Sequence, residues 1–193
     1  MKIGITLTSS LNVGQEYIDI TELIASTLAK NSFGIVYGGT DYGMMSKLAK
    51  SYKDAGGKEL NGVMAEDLIR VTKNYKAFEV LDESFTMDTM EDRKKKIISL
   101  SDGYIILPGG YGTFEEMGSI IGGNVNKLFN KPVVIYNYKG FYNKLIDFLN
   151  EIFKKQFSKI SINDAVFISE DIDEVLNYLK NYQKVNLPDK FVE

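Results

Sequence analysis

The stretch from Tyr104 to Glu116 most constrains how this chain folds. In it, an apolar run of strand length leads through Pro108 and three glycines into a helix start. A strand, a glycine turn and a helix together present backbone N–H groups to an anion at the positive end of the helix dipole. Glycine also lets the backbone approach a phosphate closely. The sequence therefore predicts an anion-binding loop with the carboxylates of Glu115 and Glu116 beside it.

A second glycine cluster, residues 38–43, also follows an apolar run. Along the chain, such runs alternate with segments whose apolar residues recur at helical spacing, and the runs lack a clean apolar–polar alternation. This pattern predicts an α/β fold, a doubly wound and mostly parallel sheet with helices on both faces. We expect one domain over residues 1–185, followed by a tail at 186–193.

The apolar and helical patterns place individual elements. Strands are predicted at residues 2–7, 33–37, 104–107, 132–136 and 165–168, and further short apolar runs lie at 60–65 and 78–81. Helices are predicted at residues 14–30, 45–55, 87–100, 141–157 and 172–182, with one more beginning at Thr113. Ligands of such sheets bind at the carboxyl ends of strands, which is where both glycine clusters fall.

Composition excludes several classes of protein. The 193 residues carry a net charge of −3, which argues against a nucleic-acid partner. Cysteine and histidine are both absent, so catalysis must rest on other side chains, and no metal site is expected. No apolar run has the length of a membrane span, and residues 1–7 are too short for a signal segment. We expect a cytoplasmic protein without a membrane partner.

No cofactor is predicted either. The cluster at 38–43 lacks the Gly-x-Gly-x-x-Gly pattern of a dinucleotide site, and no Gly-Lys-Ser/Thr of a P-loop occurs. Taken alone, this cluster fits a tight strand-to-helix turn as well as it fits a ligand-binding loop.

Two interpretations of Glu116 remain open. With Thr113 as N-cap, Glu116 would complete a capping box, since acids commonly occupy a first helical turn. It could equally be a catalytic carboxylate, and the two roles are compatible.

Arg93 is the cation singled out within a basic run. At about 100° per residue it lies near the stripe of Met90 and Ile97, whereas Lys95 points nearly opposite. The fixed fork of an arginine suits planar oxyanions. We interpret Arg93 as a candidate phosphate or substrate clamp, and the lysines as surface residues.

Three ordered motifs resemble those of the LOG ("lonely guy") family, which is often mislabelled as lysine decarboxylase. Residues 108–116 are similar to its Pro-Gly-Gly-x-Gly-Thr-x-x-Glu signature, and residues 90–94 to its Met-x-x-Arg-Lys motif. Residues 37–45 resemble a third, glycine-rich stretch. The likeness covers roughly residues 2–180. Nothing in the sequence marks a lysine placed for Schiff-base chemistry.

The resemblance implies a homodimeric enzyme that hydrolyses the N-glycosidic bond of a nucleoside 5′-monophosphate, such as AMP or a cytokinin ribotide. It implies catalytic roles for Glu116, Arg93 and Glu115. The residues that it implies for phosphate and substrate binding are Gly38, Gly39, Gly43, Met44, Lys94, Pro108, Gly109, Gly110, Tyr111, Gly112 and Thr113.

Two departures from the family pattern stand out. Thr40 replaces a third glycine, and Gly122-Gly123 replace a Thr-Trp pair that cytokinin-activating members often carry. Because glycines weaken a helix, the pair could bend this segment or frame a larger pocket. The alternative function is a nucleotide- or molybdenum-cofactor-binding carrier without significant turnover.

Overall fold

The computed structural model describes residues 1–73 and 75–188. The chain divides into two compact units, residues 1–103 and 104–193. Every pair of strands within these units runs parallel. The predicted fold class, α/β with a doubly wound parallel sheet, is confirmed, whereas the single domain over residues 1–185 stays a prediction.

The first unit alternates strands and helices. Its strands are β1 (Lys2–Thr6), β2 (Gly34–Tyr37), β3 (Leu60–Ala65) and β4 (Glu83–Met87), which pair in the order β4-β3-β2-β1. Its helices are α1 (Gln15–Lys30), α2 (Gly43–Asp54), α3 (Glu66–Val71) and α4 (Met90–Leu100). Every residue of β2 and β3 is buried, as expected for strands covered on both faces.

The sequence pattern misplaces the region around β4. The apolar run at 78–81 is not a strand, and the strand lies at Glu83–Met87, so that it ends where the sequence predicts the start of a helix. β4 is the edge strand of this unit, and most of its side chains are exposed, so polar residues are tolerated there. Helix α4 instead begins at Met90, where the Thr89 hydroxyl caps it by accepting a hydrogen bond from Asp92 N.

The second unit holds three strands and four helices in its described residues. The strands are β5 (Gly103–Ile106, whose first residue lies at the unit boundary), β6 (Val133–Tyr136) and β7 (Phe167–Ser169), in the order β5-β6-β7. The helices are α5 (Tyr111–Val125), α6 (Asn143–Lys154), α7 (Ile162–Ala165) and α8 (Ile172–Lys180), with a 3-10 turn at Tyr138–Gly140. Strands β5 and β6 are fully buried.

Helix α5 continues through the glycine pair at 122–123. A β-carbon at Gly123 would lie 2.2 Å from Cζ of Phe129, which is closer than real contacts allow. The missing side chain therefore makes room for the Phe129 ring. The Asn124 side chain then bonds both the N–H and the C=O of Lys131, which fixes the segment that follows the helix.

Two further sequence expectations concern the chain end and the membrane. Of the tail predicted at 186–193, residues 189–193 lie outside the described part of the chain. Among the described residues, no helix combines the length and apolar character needed to cross a membrane.

Candidate functional site

The loop after β5 leads directly into α5. The first helical hydrogen bond runs from Phe114 N–H to the Gly110 carbonyl, at 2.9 Å. The amides of residues 111–113 precede that bond, so they have no partner within the helix. Gly110 is the N-cap and carries no capping side chain. The segment therefore has the backbone geometry that the anion-loop prediction requires.

Thr113 is not the N-cap, so the predicted capping box is wrong. The helix begins at Tyr111, which makes Thr113 its third residue and Glu116 its sixth. Glu116 is thus beyond the reach of an N-cap amide, and the capping interpretation of this carboxylate falls. The cause is the extended backbone at Gly110 (φ −95°, ψ −154°), which starts the helix earlier than a threonine cap would.

The Thr113 side chain is instead buried at the base of the glycine loop. It is 4% exposed, and its hydroxyl finds no hydrogen-bond partner in the described part of the chain. Gly109 allows this packing, because a β-carbon there would lie 2.0 Å from Thr113 Oγ1. Thr6 Oγ1, Tyr37 OH and Asn61 Oδ1 are also buried without a partner among the described residues, so the Thr113 hydroxyl supports a ligand site only together with the loop amides beside it.

The two carboxylates lie on different sides of α5. Glu116 is half-buried and Glu115 is exposed, and both take part in further interactions. Glu116 follows Thr113 by three positions, so these two share a helix face. Of the remaining loop residues, Pro108 and Gly109 are half-buried, whereas Gly110, Tyr111 and Gly112 are exposed, with Tyr111 at 95%.

The first unit contains a cavity of about 500 Å³ near the end of β2. Its lining combines basic, aromatic and apolar side chains, and among residues 1–73 and 75–188 no aspartate or glutamate contributes to it. The residues are Ser9, Gly38, Thr40, Tyr42, Met45, Met64, Ala65, Leu68, Thr72, Lys73, Tyr75, Lys76 and Arg93. A cavity of this size and character is typical of small-molecule sites.

Arg93 reaches this cavity from α4. It is 5% exposed, and its Nε donates a hydrogen bond to the Val63 carbonyl at 2.9 Å. Its guanidinium packs against Gly38, where a β-carbon would lie 2.6 Å from Nη2. Lys95 is exposed and pairs with Asp92, as the helical spacing predicts. The placement expected for Arg93 is thus observed, and its role remains a proposal.

The other predicted residues of this unit, which are Gly39, Gly43, Met44 and Lys94, are not among the residues that line the cavity. Gly43 starts α2 with φ +57°, and a β-carbon there would lie 1.5 Å from the Ser9 carbonyl oxygen, so no other residue fits without movement. Gly39 also has positive φ, at +74°. Met44 is the second residue of α2 and is buried, and Lys94 forms an ion pair with Glu91 at 2.9 Å. Neither Met44 nor Lys94 lines the cavity.

Tyr75 and Lys76, which the sequence did not indicate, line one side of the cavity. Thr40 and Ala77 form an isolated antiparallel bridge, and Asp41 N–H donates to the Lys76 carbonyl at 2.8 Å. The Asp41 carboxylate accepts a hydrogen bond from Ser46 and forms an ion pair with Lys76 Nζ. Both contacts lower the pKa of Asp41, and the hydrogen bond from Ser46 has the larger effect. No local pattern joins positions 40 and 77, so only the fold reveals this side of the cavity.

Among the described residues, no group of three or more His, Cys, Asp or Glu side chains is placed to hold a metal ion. The molecule offers a glycine loop at a helix start and a basic, aromatic cavity. The alternation of buried parallel strands and helices, with a glycine loop at a strand's carboxyl end, defines an α/β protein of Rossmann-like fold.

Comparisons with known proteins narrow this class. The sequence model of a family described as "Possible lysine decarboxylase" matches residues 45–179. A cytokinin riboside 5′-monophosphate phosphoribohydrolase of Arabidopsis thaliana, LOG5, is 31% identical over 172 residues, covering 88% of this chain and 73% of that protein. LOG2 of the same plant is 29% identical over 168 residues, covering 86% and 76%. The chain belongs to the LOG family.

Solved structures show the same fold at lower identity. The molybdenum cofactor carrier protein of Chlamydomonas reinhardtii aligns with a TM-score of 0.69 and 17% identity, over 93% of this chain and 95% of that one. The molybdenum cofactor binding protein of Rippkaea orientalis aligns with a TM-score of 0.63 and 16% identity, over 93% and 94%. These likenesses establish the architecture.

Proposed function

We propose that this protein hydrolyses the N-glycosidic bond of a nucleoside 5′-monophosphate and releases a free base and ribose 5-phosphate. Adenine-type substrates, AMP or a cytokinin ribotide, fit the activity for which its relatives are named. The observation that carries the proposal is the start of α5, where the amides of residues 111–113 have no partner within the helix and the buried Thr113 hydroxyl has none in the described part of the chain.

The buried Thr113 hydroxyl supports phosphate binding at the start of α5. An unsatisfied buried polar group costs about 1–3 kcal/mol, and a phosphate oxygen that bonds it removes that cost. The neighbouring amides of residues 111–113 and the helix dipole favour the same negative group. A 5′-phosphate would thus be held by Pro108–Thr113 without any side-chain cation from this loop.

Glu116 supplies the chemistry in this proposal. Cleavage of a glycosidic bond passes through an oxocarbenium-like state with positive charge on the sugar. A carboxylate beside the anomeric carbon stabilises that charge and accepts a proton from the attacking water. Arg93 orients the substrate through its planar fork. Glu115, exposed on the neighbouring side of the helix, has the supporting role.

Base release from AMP and from adenosine, assayed without added metal, tests the phosphate requirement. We expect AMP to be cleaved and adenosine scarcely at all. Thr113→Val keeps the shape and removes the hydroxyl, so KM for AMP should rise about 10–100-fold, as for one hydrogen bond to a charged group. Thr21→Val removes a buried hydroxyl that is already bonded to the Tyr17 carbonyl, and it should leave KM unchanged.

Similar specificity constants for AMP and adenosine would contradict the phosphate-binding role of the loop. The second candidate function is binding of a nucleotide or molybdenum cofactor without turnover, which the shared fold with a molybdenum cofactor carrier favours. Saturable binding of AMP without any release of adenine would select that candidate. In either case we propose a homodimer.

A further inference from the structure

Tyr142, the N-cap residue of α6, hydrogen-bonds the base of the glycine loop. It is 6% exposed, and its hydroxyl donates to the Leu107 carbonyl at 2.7 Å. Burial raises the pKa of this phenol, and a hydrogen bond with the Gly109 backbone opposes that rise. The phenol is thus protonated at neutral pH and remains a donor. One hydroxyl therefore bonds the backbone on both sides of Pro108.

The loop depends on this partner at the point where the chain leaves the sheet. Strand β5 ends at Ile106, and Leu107 is 1% exposed, so its carbonyl lies away from water. Pro108 has no N–H and cannot serve as a donor here. A buried carbonyl without a partner is costly, and the Tyr142 phenol supplies the bond.

The backbone of Tyr142 is itself fixed from the ends of two strands. Its N–H donates to Asn137 Oδ1 at 2.8 Å, and the Asn137 N–H donates to the Ser169 carbonyl of β7 at 2.9 Å. Asn137 Nδ2 also donates to Asn143 Oδ1 at 2.8 Å. The phenol therefore reaches the glycine loop from a backbone that is tied to the ends of β6 and β7.

The contact with the loop affects the group that we propose binds phosphate. Gly109 packs so closely on Thr113 that a β-carbon there would lie 2.0 Å from Thr113 Oγ1. A shift of residues 107–109 would therefore change the space around that hydroxyl, three positions into α5. All of these residues belong to the second unit.

We propose that Tyr142 is a positioning residue for phosphate binding, an inference that rests on the proposed function. Through Leu107 and Gly109 it holds the loop in the conformation in which the Thr113 hydroxyl and the amides of residues 111–113 meet one phosphate. Its own hydroxyl is engaged by the loop backbone and makes no contact with the substrate.

Tyr142→Phe tests this role, because phenylalanine keeps the ring and removes the hydroxyl. We expect KM for AMP and Kd for ribose 5-phosphate to rise by the same factor, roughly tenfold, the scale of one lost hydrogen bond. The value of kcat should stay within about threefold of wild type, because the loop holds the phosphate equally in the ground and transition states. A smaller folded fraction would instead lower the apparent kcat and leave KM unchanged.

Tyr52→Phe is the matched control, from the first unit. Tyr52 is 1% exposed, its hydroxyl likewise donates to a backbone carbonyl, that of Phe33 at 2.9 Å, and it accepts from Glu59 N–H at 3.2 Å. This variant should lower the melting temperature and leave KM, kcat and Kd unchanged. Steady-state kinetics give the first two constants, and calorimetry with ribose 5-phosphate gives the third.

Thr113→Val combined with Tyr142→Phe provides a second measurement. If Tyr142 acts through the loop, the two changes are coupled, so the double variant should raise KM by less than the product of the two single factors. A rise equal to that product would overturn the proposal.

Unchanged KM and Kd in Tyr142→Phe would also overturn it and leave Tyr142 with a packing role. If the wild-type protein releases no adenine from AMP, the proposed hydrolysis fails, and the Kd for ribose 5-phosphate still decides the role of Tyr142. Weaker binding by Tyr142→Phe would then support the positioning role, and equal binding would overturn it. A wild-type protein that binds no ribose 5-phosphate would overturn both proposals.

Discussion

At the scale of single residues, two acids adjacent in sequence have different surroundings. Glu116 shares a helix face with the buried Thr113 and is half-buried, whereas Glu115 is exposed. Both sit too far along α5 to cap it, because the helix begins at Tyr111. The capping box was the strongest competing explanation for Glu116, and its loss makes a charge-neutralising mutation easier to interpret.

Glu116→Gln should therefore lower kcat without destabilising the fold. Glutamine keeps the size and removes the negative charge that would stabilise the oxocarbenium, so turnover on AMP should fall roughly 10²–10³-fold. Nucleotide binding should survive or tighten, because a negative charge near the phosphate has gone. Turnover and thermal unfolding of the variant, measured together, check this.

Glu115→Gln is the neighbouring control and should lose much less activity. A folded Glu116→Gln protein that releases adenine at close to the wild-type rate would end the catalytic role assigned to this carboxylate.

At the scale of elements, helical spacing proved a sound guide to α4. It placed Arg93 inward and Lys95 outward, and the structure has Arg93 at 5% exposure and Lys95 on the surface. The spacing could not reveal that the guanidinium packs against Gly38 or that Nε bonds the Val63 carbonyl. Both contacts join elements distant in sequence.

A reciprocal exchange on this helix tests the clamp. Arg93→Lys keeps the charge but loses the planar fork and the bond to Val63, so kcat/KM on AMP should fall roughly 10–100-fold. Lys95→Arg makes the opposite exchange at an exposed position and should change nothing. Kinetics on both variants, corrected for the folded fraction, give the answer, and equal small effects would show that Arg93 has only a packing role.

The contacts between residues 39–41 and 76–78 could not be predicted from the sequence. The sequence shows that Thr40 departs from the family glycine. It does not show the hydrogen bond from the Thr40 hydroxyl to the Lys76 carbonyl, because the two residues are 36 positions apart. Tyr75 stands in no apolar or helical pattern that would single it out. The edge strand β4 was missed for a related reason, since exposed strands carry the polar residues that pattern reading assigns to loops.

At the scale of the whole molecule, buried runs made the α/β class predictable. Strands such as β2 and β5 are apolar throughout because both faces are covered, and glycine clusters follow each of them. The glycine loop before α5 was likewise predictable from its residues. The start of that helix was not, because an N-cap without a side chain leaves no polar signature in the sequence.

We expect the protein to be a dimer in solution, as its family resemblance implies. Light scattering coupled to size exclusion should give a mass of twice 21.7 kDa. A mass of one chain across the micromolar range would contradict the expectation.

The Phe129 ring packs where a side chain at position 123 would lie, so the sizes of these two residues depend on each other. The Phe129 ring fills the space that an aromatic side chain at position 123 would need. A ring at either position fills the space once, and both rings together would overfill it. Residues 123 and 129 should therefore vary as a pair across the family, an aromatic ring at one excluding an aromatic ring at the other.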